Sequence, residues 1–222
     1  MDAYKILEIK QSVFENNDKQ ADLLRDSLRK DKVFLLNLMS SPGSGKTTTV
    51  LRTIEALKDE MNIGVLEADI DSDVDAHTVS TTGTKVIQLH SGGMCHLTAE
   101  MTRQGLVGMG TKGLDFVILE NIGNLICTAE ADTGASRNAM ILSVPEGDDK
   151  PLKYPLMFSM VDVLLINKID AMSLFDFDIE AVRERVTKMN PRIRIIPISA
   201  RTGEGIQEWA DWLRQEIREW KR

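Results

Sequence analysis

The sequence predicts an α/β fold, a predominantly parallel sheet with helices on both faces, preceded by an N-terminal amphipathic helix. Three observations carry this expectation. From Val33 onward, short apolar runs alternate with stretches of helical periodicity, the order that parallel strands and crossover helices require. The runs are continuously apolar rather than alternating, as in strands buried on both faces. Between the first run and the first helical stretch lies a Gly-rich turn, Ser40-Ser41-Pro42-Gly43-Ser44-Gly45-Lys46-Thr47-Thr48-Thr49.

Composition sets the outer bounds. At 222 residues the chain can bury a full core and is most simply one domain. Its 42% hydrophobic and 27% charged residues are ordinary for a globular protein. A net charge of −7 argues against a duplex-binding surface, so no nucleic-acid partner is expected. No apolar run reaches the roughly 18 residues that span a bilayer, and the first residues do not read as a signal peptide. Two cysteines without a Cys-x-x-Cys spacing fit a reducing compartment better than a disulfide scaffold. The expectation is a cytoplasmic protein without a membrane anchor.

In chain order, residues 1–31 read as a helical extension and 32–222 as a nucleotide-binding (G) domain. In the extension, Ile6, Ile9, Val13 and Phe14 share one helical face, and Leu23, Leu24 and Leu28 continue it after Asn16-Asn17-Asp18. One or two helices lying on the domain, or a docking arm for a partner, both fit. No Cys or His precedes His77, so this segment is not a thiolate or imidazole metal store. Strands are expected at Val33–Met39, Ile63–Leu66, Val86–Leu89, Phe116–Leu119, Met140–Val144, Val161–Ile166 and Ile193–Ile198. Helices are expected at about 46–60, 74–82, 96–107, 155–160, 176–189 and 205–220. The last carries Ile206, Trp209, Leu213, Ile217 and Trp220 on one stripe, which reads as core packing. Longer loops gather at 121–138 and 145–153, near the strand ends where phosphates should sit.

A strand, a Gly-rich turn ending in Gly-Lys-Thr and a helix make a P-loop, and the fold a P-loop NTPase. Gly43, Ser44 and Gly45 let the backbone curl so that its N–H groups point at phosphate oxygens. The helix start, with Thr48 in its first turn, adds partial positive charge there. Lys46 should reach the β- and γ-phosphates, and the Thr47 hydroxyl should bind Mg2+. The usual pattern opens on Gly, and here that position is Ser40, so the first turn's geometry is the open point.

Asn167-Lys168-Ile169-Asp170 follows the strand Val161–Ile166 and matches the Asn-Lys-x-Asp signature of GTPases. A carboxylate at Asp170 accepts from guanine N1–H and the 2-amino group, and adenine cannot supply those donors. Asn167 is expected on the base's other edge, and the Lys168 stem over its plane. Ser199-Ala200-Arg201 resembles the loop that supports guanine through a backbone N–H. GTP is therefore the expected nucleotide. Its Mg2+ needs oxygen ligands near Thr47. Asp69, at the end of the second run, and Asp75 are candidates, with helix capping the alternative for Asp71, Asp73 and Asp75. Glu120 opens Glu120-Asn121-Ile122-Gly123, like the switch motif Asp-x-x-Gly with Glu for Asp. The Gly123 N–H should meet the γ-phosphate, and Glu120 the metal or its water. No glutamine follows Gly123, so intrinsic hydrolysis should be slow. Lys150, Lys153 or Arg137 are candidate stabilising cations, in one chain or across a dimer.

Cys95-His96, after Gly92-Gly93 at the mouth of a helix, and Cys127, four residues past Gly123, form a further group. Thiolate and imidazole suit Ni2+ or Zn2+ rather than Mg2+. Three ligands fall one short of a four-coordinate site, so water, another residue or a second subunit must complete it. Two ordinary cysteines beside a surface histidine is the plainer alternative. His77 and His90 read as structural.

These motifs occur together and in order, with Glu146-Gly147-Asp148-Asp149-Lys150 and Lys153-Tyr154-Pro155 between them, and so the chain resembles the HypB family of hydrogenase nickel-incorporation GTPases. The resemblance runs from about residue 33 to the C-terminus. It implies a dimeric, GTP-hydrolysing metallochaperone that works with the hydrogenase large subunit and other maturation factors. It also implies that Cys95, His96 and Cys127 bind nickel or zinc at the dimer interface. The N-terminal Cys motif and His-rich tract of many members do not occur in this sequence. Glu100 stands where some relatives carry His, which leaves a fourth ligand of that kind unsupported. The rival readings are a GTPase chaperone for another metalloenzyme (urease or a cobalamin-dependent mutase) and, further off, a P-loop small-molecule kinase.

Overall fold

The computed structural model describes residues 5–8 (backbone only), 17–70 and 72–222. Its strands are β1 (Lys5–Glu8), β2 (Phe34–Ser40), β3 (Ile63–Asp69), β4 (Lys85–His90), β5 (Phe116–Glu120), β6 (Arg137–Ser143), β7 (Val163–Asn167) and β8 (Arg194–Pro197). They form one sheet in the order β1-β4-β3-β5-β2-β6-β7-β8, and every neighbouring pair is parallel. Each of the seven expected strands is present. β3 runs on past Leu66 to Asp69 and so takes in Glu67.

The longer helices are α1 (Asn17–Asp31), α2 (Lys46–Leu57), α3 (Val74–Ser80), α4 (Ala99–Met109), α8 (Ile179–Met189) and α9 (Ile206–Trp220). Short turns of helix, α5 (Cys127–Glu130), α6 (Lys150–Lys153) and α7 (Pro155–Met160), fill the long loops. Two starts differ from expectation because the caps lie later. The Thr98 hydroxyl accepts from Met101 N at 3.3 Å, so α4 begins at Ala99 and Cys95-His96 precede it. Asp178 accepts from Glu180 N and Ala181 N, so α8 begins at Ile179.

The pleat divides the core into two layers. Ala139, Ile141, Val163 and Leu165 face one side, with Ile54 and Leu57 of α2 and Trp209 and Leu213 of α9. Met140, Leu142, Leu164 and Ile166 face the other, with Met157, Phe158, Val182 and Val186. The α9 stripe is core, as its periodicity indicates. Its two buried indoles also find acceptors, Trp209 Nε1 on Thr53 Oγ1 and Trp220 Nε1 on the Val33 carbonyl, both at 2.9 Å.

The N-terminal segment differs most from its sequence pattern. Ile6, expected on a helix, lies in β1, which pairs with β4 at the sheet edge. Ile9, Val13 and Phe14 lie outside the described residues. In α1, Leu24 and Leu28 are buried as expected, but Leu23 faces solvent. Among the described residues no helix is long and apolar enough to cross a membrane.

Candidate nucleotide and metal site

In a parallel sheet, ligands collect outside the carboxyl ends of the strands, where the chain changes direction. Here β2 lies centrally, between β5 and β6, and its end carries the phosphate loop. Gly43 and Gly45 adopt φ of 75° and 99°, which side chains disfavour. The backbone then turns straight into α2 at Lys46. Ser40, in the place of the usual glycine, is fully buried. Its hydroxyl donates to the Ser41 carbonyl at 2.8 Å and accepts from Lys46 Nζ at 3.2 Å. The serine thus parks the lysine beside the loop instead of distorting the turn. Thr48 is exposed at the start of α2.

The base loop is braced to the phosphate loop. Asn167 Nδ2 donates to the Ser44 carbonyl at 2.9 Å, and its Oδ1 accepts from Lys168 N at 2.8 Å and Ala200 N at 3.0 Å. Asn167 was expected on the base edge. It is buried at the end of β7, with Oδ1 taken by two backbone donors and one of the two Nδ2 hydrogens given to Ser44. In the Ser199–Arg201 loop, expected to support guanine through a backbone N–H, the Ala200 N–H donates to that same amide. Lys168 Nζ donates to the Gly43 carbonyl at 2.7 Å, a second brace. Asp170 keeps its carboxylate directed by the Ser199 hydroxyl at 2.7 Å and by Arg201 at 3.5 Å. The Ser199 bond above all holds Asp170 below the usual carboxylate range. One brace was not anticipated: Arg52 of α2 donates to the carbonyls of Ala200 at 2.9 Å and Arg201 at 3.0 Å.

Beside Lys46 a polar cleft of about 40 Å³ is lined by Glu67, Asp69, Ser72, Asp75, Gln88, Glu120, Asn121 and Gly123 among others. Thr47 Oγ1 donates to Glu120 Oε1 at 3.0 Å. Glu120 Oε2 and Glu67 Oε1 are buried and accept no bond among the described residues. Burial raises Glu120 to about 7, against the pull of Lys46, and burial followed by Glu120 pushes Glu67 well above the usual range. Asp69 Oδ1 accepts from Ser72 N at 2.9 Å while the residue lines the cleft. Asp75 lies in the first turn of α3, and Asp73 holds the cap position without a side-chain cap bond. Asp71 lies outside the described residues. An all-oxygen set with buried acceptor atoms left over is what a hard divalent cation takes.

Cys95 and Cys127 come together although they are far apart in sequence. Both line a hollow of about 300 Å³ with Ser41, Pro42, Gly123, Asn124 and Tyr154. The Cys95 thiol raises Cys127, with burial adding to the effect. His96 Nδ1 lies 3.7 Å from Cys95 Sγ. Asn124, next to Gly123, donates its amide to the Cys95 carbonyl. Among the described residues no three His, Cys, Asp or Glu side chains converge into a complete metal cluster. Glu100 is turned away, held by Arg103 at 2.7 Å and Gln104 at 3.0 Å.

Residues 34–197 match the family described as CobW/HypB/UreG, nucleotide-binding domain. The chain belongs to the CobW/HypB/UreG family. Within it, the hydrogenase maturation factor HypB of Azotobacter vinelandii is 41% identical over 212 residues, 96% of this chain and 70% of that protein. The hydrogenase/urease maturation factor HypB of Helicobacter hepaticus is 37% identical over 216 residues, 96% and 88% of the two chains. The crystal structure of HypB from Helicobacter pylori in complex with nickel superposes with a TM-score of 0.86 at 36% identity, covering 92% of this chain and 96% of that one. The chain is thus a nucleotide-binding P-loop protein of the HypB group of maturation factors.

In this HypB-family chain the three candidate cations separate. Arg137 begins β6, at the amino ends of the strands and so opposite the phosphate loop, and is bound to Glu216 at 2.6 Å. Lys150 lies 5.4 Å from the Tyr154 ring centroid, and Lys153 pairs with Asp149 at 2.5 Å. Both stand on α6, next to the cysteine hollow that Tyr154 lines. Among the side chains that line or brace this site, Glu67 and Arg52 belong to no motif of the sequence. Glu67 has a detectable signal, an acid within the apolar run of β3; half-buried Arg52 has none.

Proposed function

We propose that this chain is a GTP-hydrolysing metallochaperone that helps insert nickel into NiFe hydrogenase, working as a cytoplasmic homodimer. One observation carries the reading: the hollow holding Cys95 and Cys127 shares Pro42 and Gly123 with the phosphate loop and switch segment. Nucleotide state and metal geometry are then properties of one connected surface.

GTP is the substrate that fits. Backbone N–H groups of Gly43–Thr48 cradle the phosphates, Lys46 moves from Ser40 onto them, and Asp170 accepts from guanine N1–H and the 2-amino group. Thr47 and Glu120, with Asp69 and Asp75 around them, would hold Mg2+, which when bound neutralises charge on the β- and γ-phosphates. Gly123 N–H meets the γ-phosphate. Lys150 or Lys153 supplies a cation near the phosphates, from the same chain or its partner. Single-turnover hydrolysis unchanged in Lys153→Ala removes that residue from the list.

Nickel, with zinc as the competing ion, is the cargo of Cys95, His96 and Cys127. The set, incomplete among the described residues of one chain, is consistent with completion by a second copy. Client choice rests on relatives, whose names include hydrogenase and hydrogenase/urease maturation. A pull-down with the hydrogenase large subunit and with urease separates the two readings. The coupling is tested by equilibrium dialysis of nickel with GDP and with a non-hydrolysable GTP analogue. Affinities differing several-fold support it, and identical affinities overturn it.

A further inference from the structure

We propose that Glu67 is a positioning residue of the cation cleft: it fixes the carboxylate of Glu120 and adds negative charge directly behind it. The inference rests on the magnesium reading above and extends it to a residue outside the phosphate-loop and switch motifs.

Glu67 and Glu120 are register partners on adjacent parallel strands, β3 and β5, so their side chains leave the same face of the sheet side by side. On β4 the register partner of Glu67 is Gln88, buried as well. A polar row, Gln88–Glu67–Glu120, therefore crosses three strands, with Ile87 and Leu89, Leu66 and Ala68, and Leu119 beside it in sequence. Glu67 is 2% exposed and Glu120 3%. The two carboxyl groups are in contact, and each keeps one buried oxygen without a donor among the described residues. Two acids buried together are costly unless a cation or proton joins them. Both line the cleft that holds Lys46 and Asp75.

The division of labour follows from the bonds. Glu120 Oε1 is committed to Thr47, so Oε2 is the atom left to face a cation or its water. Glu67 lies one strand further from the phosphate loop and acts through Glu120. It restricts rotation of that carboxylate and strengthens its hold on a divalent ion. A purely structural acid, protonated and serving only to donate to Glu120, is the competing role, and glutamine would fill it equally well.

The test uses the full chain with a non-hydrolysable GTP analogue and Mn2+ as the probe. Mn2+ titration and the Mn2+ electron paramagnetic resonance spectrum are followed for wild type, Glu67→Gln and Glu67→Asp. We expect Glu67→Gln to weaken Mn2+ binding about tenfold or more and to alter the spectrum, while binding of metal-free nucleotide in chelator stays as in wild type. Glu67→Asp should recover part of the affinity. If Glu67→Gln fails to fold, Glu67→Asp, which keeps the charge one methylene shorter, reads the same affinity against wild type. Wild-type Mn2+ affinity and spectrum in a folded Glu67→Gln overturn the inference and leave the magnesium reading intact. A wild-type protein that binds nucleotide but no Mn2+ overturns both.

Discussion

Asn167 sits directly against Gly45: a Cβ built on that glycine would lie 2.5 Å from the Asn167 amide nitrogen. The contact joins the Asn167–Asp170 segment to the phosphate loop and fixes where the asparagine amide lies. Gly45→Ala adds that clash to a φ of 99°. The expected outcome is a stability loss of about 1–3 kcal/mol together with loss of most nucleotide affinity. Asn167→Ala, which empties the same contact and frees three hydrogen bonds, should cost a similar amount. Thermal melting and titration with fluorescent GDP check both.

Asp170 is the residue proposed to select the base. Ser199 and Arg201 hold its carboxylate in place, so a change to amide keeps the shape and alters only the donor pattern. Asp170→Asn should therefore lose guanine nucleotide affinity by about a hundredfold or more, because its NH2 opposes the guanine donors. Xanthine nucleotides, with an oxygen in place of the 2-amino group, should recover much of the loss. Competition titrations with GDP and xanthosine diphosphate measure the exchange.

Glu120 gives the metal-free protein a pH dependence of definite sign. Its value is raised from 4.5 to about 7, chiefly by burial, so the folded state binds more protons than the unfolded one between those values. Stability is then fully present below about pH 4.5 and is lost as pH rises toward 7, with a slope of up to about 1.4 kcal/mol per pH unit per proton. Glu67 shifts in the same direction and adds to the effect. Denaturant melts of metal-free protein should show greater stability at pH 5.5 than at 7.5. Glu120→Gln should flatten that difference.

The N-terminal helix ties the two cysteine segments together. Asn17 accepts from Ala99 N at 3.0 Å and donates to the Asp132 carbonyl at 2.8 Å, so it joins the chain just after His96 to the chain just after Cys127. Arg25 grips the Asp132 carboxylate with two bonds, at 2.8 Å and 2.7 Å. Burial works against that carboxylate, yet the Arg25 bonds hold Asp132 below its usual range. Its contribution is present at neutral pH and fades as pH falls through the folded value. Asn17→Ala should weaken nickel binding several-fold and leave GDP binding unchanged. The stability cost should be only about 1 kcal/mol, since the site is partly solvated. Nickel and GDP titrations of the same preparation check it.

What was legible in the sequence follows a physical rule. The phosphate loop was legible because its chemistry demands fixed residue types at short spacing, and the seven strands because burial on both faces demands apolar runs. For Asn167 the motif indicates the neighbourhood of the base and not the protein partners of its amide, which lie on the phosphate loop and at Ala200. Glu67 was missed because its role depends on β5 lying next to β3, a pairing no local pattern encodes. The same holds for Asn17 and Arg25, whose partner Asp132 is more than a hundred residues away. Cys95 was placed at a helix mouth because the capping threonine, Thr98, lies three residues later than the first helical periodicity suggests.

Gly123 is where coupling between nucleotide and metal should be separable from binding of either. A Cβ on Gly123 would lie 3.2 Å from Pro42 N and from its side chain, so the switch segment rests on the phosphate loop at that point. Asn124 next to it holds the Cys95 carbonyl, and Cys127 follows within the same segment. Gly123→Ala requires Pro42 to give by a few tenths of an ångström, a shift that spares the guanine loop. GDP affinity should stay within about twofold of wild type, because the base and α- and β-phosphate contacts are elsewhere. Nickel affinity should no longer differ between GDP and the GTP analogue, because the methyl group props the switch away from the γ-phosphate. Dialysis in both nucleotide states reads this directly. A Gly123→Ala protein that keeps the wild-type difference would show that the signal reaches the cysteines by another route.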